Sequence, residues 1–180
     1  MPAEHLATGF YGKIPATGDF VSRGLPGDFV RSWDRWVATH LAPLQLSGAW
    51  PEHVGLRFIL GADASGPMVG VALPGRDKAG RRFPLTVATP LPASVTAMAA
   101  ASSSWFDAVE AVAEAALRGE LGPDALGEAL SAIPFEHSGV EGEGVHGMTF
   151  WTASSDLLTI DPSAPQAALA ALAAGLVEAG

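Results

Sequence analysis

Six charged residues sit in or beside the Gly- and Pro-rich stretches of the chain: Lys13, Asp19, Arg23, Asp34, Asp77 and Arg81. A general acid/base pair could be assembled from these atoms. The same three cations and three anions could instead satisfy one another and pin the loops. An ordered loop must overcome about 1–2 kcal/mol of backbone entropy per residue, so pinning has a physical purpose and is the preferred reading. A second group, Glu136, His137, Glu141, Glu143 and His146, offers imidazole nitrogen and carboxylate oxygen, a reasonable zinc set. Its spacing matches no compact motif such as H-E-x-x-H. Gly139, Gly142 and Gly144 make that loop costly to order, so a solvated acidic loop is preferred. His137 and His146 remain the metal candidates, and no cofactor is expected. A third group, Arg76, Lys78, Arg81 and Arg82, is a positive turn on a negative chain. It reads as a solvated hairpin turn or as an anion or partner contact.

Nucleophilic and nucleotide chemistry find no frame. A G-x-S-x-G elbow is missing: Ser22 has Phe20 in the first glycine position, and Ser65 has Asp63. Gly12-Lys13 follows a predicted strand but runs into Ile14-Pro15, not into the hydroxyl and helix of a phosphate loop.

Composition narrows the classes further. The chain has 180 residues, enough for one domain with a real core, and residues 1–180 are read as a single domain. It carries 10 Lys and Arg against 19 Asp and Glu, a net charge of −9. That balance repels phosphate backbones and anionic lipid, so neither nucleic acid nor a membrane is an expected partner. The absence of cysteine excludes a disulfide framework and thiolate chemistry, and fits a reducing cytoplasm. Met1–Gly12 shows no signal-peptide pattern. The uncharged stretch Phe83–Phe106 is broken by Pro84, Pro90 and Pro92 and cannot form one spanning helix.

The elements that must position these groups are legible from periodicity. A strand is expected over Thr8–Ile14, then a loop from Pro15 to Gly27. A helix follows, with Asp28 as N-cap, Phe29, Trp33, Trp36, Val37 and Leu41 on one face, and Pro43 as its stop. Leu56–Leu60, Met68–Leu73 and Phe83–Thr89 read as three consecutive antiparallel strands. Ser104 and Asp107 form a helix start signal ahead of Trp105, Val109, Val112, Ala116 and Leu117, with Gly119 as the end. A shorter helix is expected over Asp124–Ala132, a strand over Met148–Ala153 and an extra strand at Leu157–Ile160. A last helix starts near Ser163, with Gln166 completing a capping box, and runs to about Glu178. The order β-α-β-β-β-α-α-β-α implies an α/β fold: a mixed, largely antiparallel sheet flanked by helices.

Taken in order, several motifs resemble the TagF/ImpM family of type VI secretion. The run from Gly12 through Lys13, Pro15, Gly18-Asp19-Phe20 and Arg23-Gly24-Leu25 is similar to its G-K-x-P-x-x-G-D-F-x-x-R-G-L opening. Phe29 with Trp33-Asp34 and Trp36 resembles its F-x-x-x-W-D-x-W helix, and Arg57-Phe58 with Leu60 its R-F-x-L strand. Pro74, Asp77, Gly80-Arg81 and Phe83-Pro84-Leu85 resemble its next turn and strand. Gly75 stands where the family usually has serine, and Leu56 where tryptophan is common. The resemblance is dense from Gly12 to about Pro90. It implies a non-catalytic cytoplasmic accessory protein, typically a post-translational repressor. Such a protein would bind a forkhead-associated scaffold protein within a threonine-phosphorylation pathway, and no small-molecule substrate is expected. The alternatives are a metal-assisted hydrolase using the 136–146 loop and an anion-sensing domain using the 76–82 turn.

Overall fold

The computed structural model describes residues 8–92, 96, 100–102, 104–136 and 144–178. Its centre is one seven-stranded sheet built from β1 (Gly9–Gly12), β2 (Val21–Arg23), β3 (Leu56–Leu60), β4 (Met68–Leu73), β5 (Leu85–Pro90), β6 (Met148–Trp151) and β7 (Leu158–Ile160). Spatial order is β2-β1-β5-β4-β3-β6-β7. Where the periodicity left room for a mixed sheet, every neighbouring pair is antiparallel. The three central strands form the expected meander, and the sheet is open at β2 and β7.

Four helices, among the described residues, cover the sheet: α1 (Gly27–Leu46), α2 (Trp105–Leu117), α3 (Pro123–Ser131) and α4 (Gln166–Glu178). Two cores result. Phe10, Ile59, Val71, Leu85 and Val87 meet Trp105, Phe106, Val109 and Leu126 on the side of α2 and α3. Tyr11, Leu56, Phe58, Leu60 and Phe150 meet Phe29, Trp33, Val37, Leu41 and Leu169 on the side of α1 and α4. Strands buried on both faces must be apolar at every position, which explains runs such as Leu56–Leu60 and Met68–Leu73. The alternation still sorts the two faces: Leu56, Phe58 and Leu60 face α1, while Arg57 and Ile59 point the other way.

Several local expectations are corrected. The loop from Pro15 to Gly27 contains β2, a three-residue edge strand paired to β1. Pro26 occupies the cap of α1, and Asp28 lies in the first turn, bonded to Arg31. A carboxylate there still complements the helix N-terminus. α1 runs through Pro43 to Leu46, because Leu41 and Gln45 on either side of the proline are buried and hold the last turn against the fold. Ser104 makes no capping bond, and Asp107 turns its carboxylate to Arg57 instead. No capping box forms at the last helix: Ser163 Oγ donates to Asp161, and α4 begins at Gln166. Among the described residues no helix is long and apolar enough to cross a membrane.

Candidate functional site

Two Gly/Pro loops, residues 13–20 and 74–84, are clasped beside the end of β1. Lys13 follows directly on that strand, and its ammonium is 3.3 Å from Asp77, whose side chain has 0% exposure. The Asp77 carboxylate is fully engaged. One oxygen accepts from the amides of Ala79 (2.9 Å) and Arg81 (3.0 Å). The other faces Lys13 and accepts from the Arg81 guanidinium at 2.8 Å. Burial opposes its charge, but the Arg81 amide, the Lys13 ammonium and the Arg81 guanidinium together outweigh burial and hold its pKa below the usual carboxylate range. Arg81 also donates to the Gly18 carbonyl at 2.6 Å, and the Lys78 amide donates to Thr17 at 2.7 Å. These bonds tie the turn to the first loop. A carboxylate with its lone pairs committed and its basicity lowered is suited to holding loops, not to taking a proton.

Gly12 sets the entry to the clasp. Its φ is +142°, and a Cβ there would lie 2.3 Å from the Pro84 carbonyl oxygen. Only glycine combines this backbone with so close an approach to the β5 segment.

Of the six residues singled out from the sequence, Lys13, Asp77 and Arg81 come together and the other three do not. Asp19 is exposed and accepts from the Phe20 amide at 2.7 Å. Arg23, on β2, pairs at 3.5 Å with Asp124 at the start of α3. Asp34, on α1, accepts a hydrogen bond from the Tyr11 hydroxyl. Burial, reinforced by the Asp34 carboxylate, pushes the Tyr11 pKa well above its ordinary value, so the phenol stays protonated. In place of the single network there are the clasp, the Arg23–Asp124 pair and the Tyr11–Asp34 bond, while Asp19, among the described residues, bonds only within its own loop. Of the metal candidates, His146 is exposed and His137 lies outside the described residues. Among the described residues no three potential ligands cluster.

The feature that sequence reasoning missed is Phe20. It is 42% exposed, whereas every tryptophan is buried or half-buried. Its ring stacks on Tyr11 at 5.7 Å, meets Phe83 edge-on at 4.9 Å and receives the Lys13 ammonium at 4.8 Å. The ring is thus packed on one side and meets solvent on the other. The signal was present as an aromatic residue inside a polar, glycine-rich loop. A second missed group is buried: Arg57 reaches from β3 to Glu110 and Asp107 on α2.

The clasp also makes an acid-stability prediction. A depressed carboxylate pKa contributes stability above the unfolded value near ~3.9 and loses it as pH falls through the folded value. Asp77→Asn is expected to lower the melting temperature by roughly 5 °C or more at pH 7. The wild-type advantage should shrink steadily below about pH 4. Melting curves that stay parallel down to the acid limit would contradict this role.

The family model of the TagF N-terminal domain, type VI secretion system-associated, matches residues 9–133. The chain belongs to the TagF family. The matched span contains the clasp, Phe20 and the Arg57 cluster. The crystal structure of PA0076 from Pseudomonas aeruginosa PAO1 is similar at 31% identity and a TM-score of 0.63, over 94% of this chain and 78% of that one. No curated protein matches. Membership in the TagF family makes this a type VI secretion-associated protein.

Proposed function

We propose that this TagF-family chain is a non-catalytic, cytoplasmic accessory protein of type VI secretion. It acts as a post-translational repressor by binding a forkhead-associated scaffold protein within a threonine-phosphorylation pathway. The observation that carries the binding role is Phe20, exposed and immobilised on Tyr11, Phe83 and Lys13 above a buried ion-paired clasp. A pre-ordered aromatic anchor loses little conformational freedom on association, which is the usual physical basis of a hot spot. The committed lone pairs of Asp77 support a scaffolding role for these loops over acid–base chemistry.

Calorimetry with the forkhead-associated scaffold protein of the cognate secretion system tests the reading. Wild type is expected to form a direct complex. Phe20→Ala is expected to weaken it by at least about 30-fold, equivalent to a 2 kcal/mol hot spot. The far-UV spectrum of Phe20→Ala should match wild type, and its melting temperature should fall by only a few degrees from the lost ring contacts, so binding measured well below that temperature reports the anchor. A wild-type chain that shows no complex refutes the partner assignment, and an unaffected Phe20→Ala complex refutes the anchor.

A further inference from the structure

The 74–82 turn has two sides, and only one is used by the clasp. Arg76 pairs across the turn with Arg82 in an isolated antiparallel bridge. Residues 77 and 81 point to the opposite side from 76 and 82, as alternation requires. Asp77 and Arg81 are consumed internally. Arg76 and Arg82 instead line a cleft of about 260 Å³, and neither has a counter-ion among the described residues. Like charges placed directly opposite on neighbouring strands are destabilising. Both residues are exposed, so water screens much of that repulsion, and the pair leaves two cations available at the cleft.

Gln45 supplies an independent second observation. It lines the same cleft from the last turn of α1 and is 6% exposed. Its Nε2 donates to the Gly75 carbonyl at 2.8 Å, which fixes the amide orientation. Its Oε1 is then left buried and without a partner among the described residues. Such an atom calls for a donor from outside. The remaining charged groups on the rim are His53, Glu52, Glu114 and Arg118. Arg118 is held by Glu120 at 2.9 Å, so the two unpaired cations are Arg76 and Arg82.

We propose that this cleft binds a phosphate group, free or as a small phosphate monoester. Two guanidiniums match a doubly charged oxyanion in charge, and each can donate two bonds to it; Glu52 and Glu114 on the rim oppose an anion, so it would sit against Arg76, Arg82 and Gln45. In inorganic hydrogen phosphate the remaining P–OH supplies the donor that Gln45 Oε1 lacks, and in a doubly charged monoester such as glycerol 3-phosphate a stem hydroxyl must supply it. The cleft has room for the phosphate and a short stem. The site is separate from the Phe20 surface, so its test does not depend on a protein partner.

Calorimetry at low ionic strength with inorganic phosphate, glycerol 3-phosphate, sulfate and acetate decides the matter. Phosphate or glycerol 3-phosphate is expected to bind at submillimolar concentration, and the tighter of the two identifies the source. Sulfate, which has no proton to give Gln45, and acetate, with one charge, should each bind at least tenfold more weakly. Arg76→Gln and Arg82→Gln should each weaken phosphate binding tenfold or more, and the double variant should abolish it. With the repulsion relieved, the ligand-free melting temperature of each variant should equal or exceed that of wild type, which separates lost binding from lost folding. No binding of either phosphate by wild type, binding retained by the double variant, or equal affinity for sulfate would overturn the proposal.

Discussion

Arg57→Ala is expected to destabilise the protein by about 3–5 kcal/mol, because it strands a carboxylate in a nearly dry place. Arg57 leaves β3 on the face covered by α2, and its side chain is 11% exposed. Its Nε donates to Glu110 at 2.7 Å, and one terminal nitrogen donates to Asp107 at 2.8 Å and to the second Glu110 oxygen at 3.1 Å. The guanidinium also lies 5.2 Å from the centre of the Phe106 ring. Glu110 is 16% exposed, so without Arg57 it must stay charged and unpaired or take up a proton. Asp107 is 81% exposed, and solvent already screens it. Asp107→Ala should therefore cost no more than about 1 kcal/mol. Arg57→Lys keeps the charge but gives up the bidentate fork, so it should not restore wild-type stability. The double variant Arg57→Met, Glu110→Leu should recover most of the loss, since a packed apolar pair can replace a buried ion pair. Urea unfolding of this set separates the explanations. A cost below about 1 kcal/mol for Arg57→Ala, or a double variant worse than the single, would contradict the account.

This cluster shows how the legible and illegible parts of the chain differ. The strands Leu56–Leu60 and Met68–Leu73 could be read to the residue, because double-sided burial writes itself as an unbroken apolar run between turn-forming glycines and prolines. An arginine inside such a run, with acids three apart on a later helix, was the available sign of the Arg57 cluster. It could not say which helix would cross that strand. β2 left no comparable mark: three half-buried or exposed residues at a sheet edge need no apolar pattern. Pro43 misled in the other direction, since a local rule about backbone donors was overridden by the burial of Leu41 and Gln45. The candidate site divides on the same principle. Of the six residues grouped from the sequence, Lys13, Asp77 and Arg81 do meet, Asp77 and Arg81 lying four residues apart in one tight turn. Asp34 and Arg23 found their partners 23 and 101 positions away, in Tyr11 and Asp124. Nothing along a Gly/Pro loop encodes which distant element it will fold against. Phe20 escaped notice because composition marks an aromatic residue as core, and only packing reveals that its ring is fixed yet still meets solvent.

The second large effect is expected at Trp33, which joins the core to the candidate surface. The indole is fully buried and sits among Phe29, Trp36 and Phe58, with ring centres at 5.8, 5.1 and 4.7 Å. Its N–H donates to the Thr86 hydroxyl on β5 at 2.9 Å, the polar link between α1 and the middle of the sheet. Trp33→Ala removes the ring and leaves a cavity, at a cost of about 3–5 kcal/mol. Trp33→Phe keeps most of the stacking but leaves the buried Thr86 hydroxyl without this donor, so a smaller loss of about 1–3 kcal/mol is expected. Adding Thr86→Val to Trp33→Phe should return part of that loss, and the double-mutant cycle isolates the hydrogen bond from the packing. The consequence reaches the surface because Asp34 is the next residue on α1 and accepts from Tyr11, whose ring supports Phe20. A shift of α1 toward the Trp33 cavity would loosen that support. Trp33→Ala should therefore weaken partner binding even at temperatures where the chain remains folded, while Trp33→Phe should leave it nearly intact. If Trp33→Ala lowers stability as expected but binds the partner with unchanged affinity, the helix does not hold the anchor, and Phe20 must owe its placement to Phe83 and Lys13 alone.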